Sequence, residues 1–210
     1  MIFRRFLGVT VALCLQSAAT LAADAAVHSD RSGHGDAMLV GGPIKQPFGH
    51  RAFCLRQPEE CGPTANADRP PPVLDDALMA TVARINTAVN AEIEPVSDQV
   101  LYGQEEFWAI PTTQGDCEDY ALLKRARLHA AGIPLSDLLL TVVNKTDGTG
   151  HAILTLRTMS GDFVLDNLDW RVRRWNEVPY RFVKRQSPRN AGEWLEIESA
   201  PEPLVSSVSR

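Results

Sequence analysis

A chain of 210 residues, 44% hydrophobic and 22% charged, is long enough to bury a core and too apolar to be a disordered tail. A net charge of -5 with no basic stripe excludes a nucleic-acid binder. No stretch after the N-terminus is long and apolar enough to span a bilayer.

The N-terminus has a positive start at Arg4-Arg5, a short apolar run from Phe6 to Leu15, and small residues from Ser17 to Ala26. Residues 1–23 therefore read as a secretory leader ending at Ala22 or Ala23, and the chain as exported. The run is short for a spanning helix, so no stable membrane insertion is expected once the leader is removed. Cys14 leaves with it, and export makes the remaining cysteines candidates for oxidation. Cys54 and Cys61 are spaced for a small disulfide-closed loop, which leaves Cys117 unpaired. An unpaired cysteine in an exported chain is either a reactive thiol or a buried inert one.

Residues 24–72 read as linker, with scattered His28, His34 and His50, the Cys54–Cys61 loop, and a second linker from Pro63 to Pro72. Residues 73–198 read as the folded domain. Leu74, Leu78, Val82, Ile85 and Val89 form one apolar stripe, predicting an amphipathic helix from Val73 to about Ile93. Residues 97–114 are irregular, with Tyr102, Phe107 and Trp108 as wall or core aromatics. A second helix is predicted from Cys117 to about Ala131, with Asp116 as N-cap, Asp119 as the N3 acid of a capping box, and Gly132 and Pro134 as stop signals. The period then becomes two-fold, predicting strands at 138–143, 151–157, 163–166 and 180–184, with turns at Asp147-Gly148 and Ser160-Gly161. Helices followed by an antiparallel sheet is the α+β pattern. Residues 199–210 read as a frayed tail.

Gly115-Asp116-Cys117-Glu118-Asp119-Tyr120 is the stretch most loaded with chemistry. A thiol at a helix start meets unpaired N–H groups and the positive end of the helix dipole, which favour the thiolate. Asp116, Glu118 and Asp119 oppose this unless a cation neutralises part of their charge. His151, opening a strand after a flexible turn, is the candidate base, and Asp166 the candidate acceptor that orients it. A hairpin turning at Ser160-Gly161 pairs Thr155 with Asp166, leaving Asp166 on the face of His151 but four residues along. That is too far at about 3.3 Å per residue, so a shift, bulge or bend is required. Asn167 and Asp169 are the fallback partners. The Cys117 N–H, with Gln114 as a second donor, is the candidate oxyanion hole.

Gly115 to Ala121, then Gly150-His151-Ala152-Ile153-Leu154, then Val164-Leu165-Asp166-Asn167-Leu168, with Trp108-Ala109-Ile110-Pro111 upstream, resemble the bacterial transglutaminase-like cysteine proteinases. The resemblance implies a papain-like, transglutaminase-like core with helices packed on an antiparallel sheet. It implies Cys117 as nucleophile, His151 as base and acid, and Asp166 as the orienting member. It also implies a calcium site that includes Asp116 and Glu118, and hard carboxylates suit that ion. Asp98 is a weaker further candidate. A periplasmic location, a protein substrate such as a surface adhesin, and a membrane-bound regulatory partner follow from the same resemblance. The Cys54–Cys61 loop and a shorter segment between Trp108 and Cys117 depart from the adhesin-releasing members. The residues leave open acyl transfer to an amine, and a non-catalytic calcium-responsive module, beside peptide hydrolysis.

Overall fold

The structure, a computed structural model, describes residues 37–198. The leader, residues 24–36 of the linker and the tail lie outside the described residues. In chain order the elements are β1 (Val40–Ile44), α1 (Phe48–Arg56), α2 (Asp76–Glu92), β2 (Glu94–Pro95), α3 (Asp98–Tyr102), β3 (Gln114–Gly115), α4 (Cys117–Ala130), β4 (Leu138–Asn144), β5 (Gly150–Thr158), β6 (Gly161–Leu165), β7 (Arg173–Arg174), β8 (Arg181–Gln186) and β9 (Trp194–Ile197). Seven strands form one antiparallel sheet in the order β1-β9-β8-β4-β5-β6-β7. The α+β architecture is as predicted.

The two long helices follow from their sequences. The Asp75 carboxylate accepts from the Leu78 N–H at 2.8 Å and caps α2, whose Val82, Ile85 and Val89 are buried. Along α4 nearly every residue from Glu118 to Leu128 is buried, because α2 lies on one side and β4 and β5 on another. Gly132, with φ of +97°, accommodates the turn after α4. One core joins α2 and α4 to Leu138, Leu140, Leu154, Leu156 and Leu165 of the sheet. Val143, Ile153, Val164 and Phe182 line the opposite face in a second, smaller cluster.

Residues 40–56, read from the sequence as linker and loop, instead form β1 and α1. Val-Gly-Gly-Pro-Ile has no alternation to announce a strand. It is held by pairing with β9 across an irregular register between Val40 and Pro43. The Cys54–Cys61 disulfide is present and closes the end of α1, with Cα atoms 5.5 Å apart. His50 lies edge-on to both Trp108 and Trp194, at 5.4 and 5.3 Å. Gly49 permits this packing, since a Cβ there would stand 2.4 Å from Trp108. Arg56 donates to the Trp108 carbonyl at 2.7 Å, so α1 fixes the indole that walls the cleft described next.

Candidate active site

Cys117 is the first residue of α4, at the rim of the sheet. With His151, Glu118, Trp108, Glu106, Pro47 and Lys184 it lines a cleft of about 350 Å³. His151 Nε2 lies 2.8 Å from Asp166 Oδ1, with the carboxylate accepting the ring N–H. Both side chains are buried, at 4% and 3% exposure, so water does not compete for that bond. Asp166 Oδ1 also accepts from the Leu168 N–H at 2.9 Å, and Asp166 Oδ2 from the Tyr180 hydroxyl at 2.6 Å. Burial pushes the Asp166 carboxyl up, but the donors His151, Tyr180 and Leu168 bring it below the usual carboxylate range.

The register explains how the pair meets. Thr155 is opposite Val164, not Asp166, and Thr158 is opposite Gly161, so the hairpin turns at Met159-Ser160. The turn sits one residue earlier than expected, and Gly161 takes up a φ of +112°. The ladder ends at Leu154 opposite Leu165, so Asp166 follows directly beyond it, two residues nearer His151 than expected, and the chain there closes the remaining gap. Alternation puts His151 on the face of Ile153, whereas α4 packs against the face of Leu154. The ring and the thiol still border one cleft, because β6 pairs no further than Leu154 and the start of β5 reaches the rim.

The electrostatics around Cys117 are unfavourable to a bare thiolate. Burial pushes the thiol up, as does the Glu118 carboxyl, which accepts from Sγ at 3.1 Å; the Ala152 backbone N–H pulls the other way. Glu118 is itself pushed up to about 9 by burial and by Asp116. Asp119 is raised to about 7, chiefly by burial, against the pull of the Ala109 N–H that it accepts at 2.8 Å.

A short parallel pairing of β2 with β3 brings Asp98 beside this group, and the Asp98 N–H donates to Asp116 Oδ2 at 3.0 Å. Oxygens of Asp98, Asp116 and Asp119 lie within 4.8 Å of one another. Asp98 Oδ1, Asp116 Oδ1 and Asp119 Oδ2 are buried and have no hydrogen-bond donor among the described residues. Three carboxylates, each with a buried unpartnered oxygen, fit a hard divalent cation. Gly115 admits Asp119 to the cluster, since a Cβ there would come within 2.6 Å of its Oδ2.

The family of bacterial transglutaminase-like cysteine proteinases matches residues 40–202. The chain belongs to that family. As a bacterial transglutaminase-like cysteine proteinase it is a cysteine peptidase. Solved structures similar to it include three of LapG from Legionella pneumophila. The calcium-bound form is 22% identical with a TM-score of 0.47, covering 60% of this chain and 74% of that one. A second LapG structure is 23% identical with a TM-score of 0.46, covering 55% and 67%. The EGTA-treated form is 23% identical with a TM-score of 0.47, covering 55% and 66%. No curated protein matches the chain.

In this proteinase several residues sit differently from their sequence expectation. Gln114 donates to Glu94 Oε2 at 2.8 Å and does not line the cleft, so it is no oxyanion donor here. Asp116 makes no side-chain cap for α4 and turns to the Asp98 N–H instead. Asp169 pairs with Arg171 and Arg173, so it is not the partner of His151. Of the two expected metal ligands, Asp116 belongs to the three-aspartate group and also to a group with Cys117 and Glu118. Tyr180 was missed as a partner of Asp166. It reads as an ordinary strand aromatic, but it lies just before β8, and only the fold brings its hydroxyl to Asp166.

Proposed function

We propose that the chain is an exported endopeptidase in which Cys117 attacks a peptide carbonyl, His151 moves the proton and Asp166 orients the ring. The observation that carries this reading is the 2.8 Å pairing of His151 with Asp166 on the cleft that Cys117 lines. The imidazole takes the thiol proton as sulfur bonds to the carbonyl carbon. It then returns that proton to the leaving amine as the thioester forms, and water regenerates the thiol. The Cys117 N–H at the start of α4 faces the developing oxyanion.

Calcium is the proposed cofactor, held by Asp98, Asp116 and Asp119 beside Glu118. Its charge would offset the acids that hold the thiol up. Export is supported by the leader-like residues 1–23 and by the disulfide, which belongs to an oxidising compartment such as the periplasm. The substrate class is a surface protein of the adhesin kind, with a membrane-bound regulator as partner.

The test compares cells producing the wild-type chain with cells producing Cys117→Ala. Wild-type cells are expected to release a fragment of a surface protein into the medium, and variant cells to retain it while the variant stays folded. Equal release from both overturns the proposal. Product mass in the presence of a primary amine separates hydrolysis from acyl transfer, since only transfer adds the amine.

A further inference from the structure

Lys184 and Pro47 line the cleft, and both lead out of it. The Lys184 Nζ donates to the Lys45 carbonyl at 2.8 Å, and Lys45, with Ile44, Phe48 and Arg51, borders a second groove of about 710 Å³ closed by residues 192–195. Residues directly opposed in antiparallel strands share a face. Val142 of the cleft lies opposite Lys184, Gln186 two residues on lies opposite Trp194, and Trp194 lies opposite Ile44. Val142 and Trp194 both pack in the core beneath the helices, so the helix-bearing face of the sheet is one surface from cleft to groove.

The groove is apolar and locally basic. Phe48, the first residue of α1, is 79% exposed, a large aromatic with nothing over it among the described residues. Lys45 and Arg51 belong to no ion pair among the described residues. With Lys184 they make three cations beside two acids, Glu193 in the groove and Glu196 opposite Lys184, on a chain whose net charge is -5. Glu106 lines the cleft itself. The complement to both is a polypeptide segment free of acids beside the scissile bond and carrying acidic and apolar residues farther along.

We propose that this groove extends the cleft and holds such a segment of the substrate, with Lys45, Arg51 and Phe48 as specificity-determining residues. The inference rests on the Cys117 peptidase reading given above. Lys184 joins the two compartments, since one side chain lines the cleft and is anchored to the backbone of the groove.

The test uses the full chain and three reagents for Cys117, with alkylation followed by mass. They are iodoacetamide and two iodoacetyl peptides that carry two alanines next to the reactive group, then either Glu-Glu-Leu or Lys-Lys-Leu. At low ionic strength the wild type is expected to react about fivefold faster with the glutamate peptide than with the lysine peptide. Lys45→Glu combined with Arg51→Glu is expected to abolish that preference while the iodoacetamide rate stays within about twofold of wild type. Phe48→Ala is expected to slow both peptides about threefold. A wild type that does not prefer the glutamate peptide, or a double variant that still does, overturns the inference and leaves the peptidase reading standing. A Phe48→Ala chain that elutes as a monomer where the wild type elutes as a dimer, with unchanged peptide rates, assigns the groove to a second copy and overturns it too. A Cys117 that none of the three reagents modifies overturns the peptidase reading and this inference together.

Discussion

Asp166 accepts three hydrogen bonds, and the Tyr180 hydroxyl is the one whose removal disturbs least else. Tyr180→Phe keeps the ring that stands edge-on to His151 at 5.7 Å and deletes only the donor. Hydrogen bonds to charged groups contribute about 1.5–3 kcal/mol, and the part felt in catalysis should lower kcat about tenfold with KM little changed. Because the folded Asp166 is held below its unfolded value, its ionised form stabilises the fold above about pH 4, and that contribution is lost as pH falls through the folded pKa. Without the hydroxyl the folded pKa rises, so acid unfolding of the variant should begin at higher pH. An acid titration followed by circular dichroism checks this, and coincident curves would remove Tyr180 from the site. Cys117, His151 and Asp166 were singled out by residue type and position, and the structure pairs His151 with Asp166 and sets His151 and Cys117 on one cleft. Tyr180 was not, because it reaches Asp166 from a segment distant in sequence.

Among the elements, those with strong periodicity were readable: α2 and α4 from their buried faces, β4, β5, β6 and β8 from β-branched and apolar runs. The elements missed include β1, α1 and β9, and α3 within residues 97–114 that read as irregular. Glycine and proline in β1 carry no strand signal, and α1 buries only Gly49, His50 and Phe53 of its nine residues. The same weakness makes α1 dependent on its disulfide. In the chain-entropy view, closing so short a loop stabilises by about 2–3 kcal/mol. Replacing Cys54 and Cys61 together by alanine should therefore lower Tm by about 5 °C in calorimetry. It should also loosen Trp108, whose carbonyl is held by Arg56 of α1, and slow Cys117 alkylation. A double variant with wild-type Tm would show that α1 holds without its staple. The hairpin error had a different cause: a turn placed one residue late displaced the predicted partner of every residue in β6.

At the level of the whole molecule, the starts of α3 and α4 meet beside the β2–β3 pair, where oxygens of the acids at 98, 116 and 119 lie within 4.8 Å of one another. A cation bound there would stabilise the folded chain by mass action, about 2.7 kcal/mol at a hundredfold excess over Kd. Calcium should raise Tm by several degrees, EGTA should reverse the shift, and Asp98→Asn should shrink it. An unshifted Tm across millimolar calcium would mean that these acids serve only the helix start. The antiparallel order of the sheet adds one consequence for engineering. Val40 and Ile197 are direct partners on neighbouring strands, so the two limits of the sheet lie side by side. A glycine-rich bridge of a few residues would join them, and a circularly permuted chain reopened at the exposed Met159-Ser160 turn should retain the thiol's surroundings.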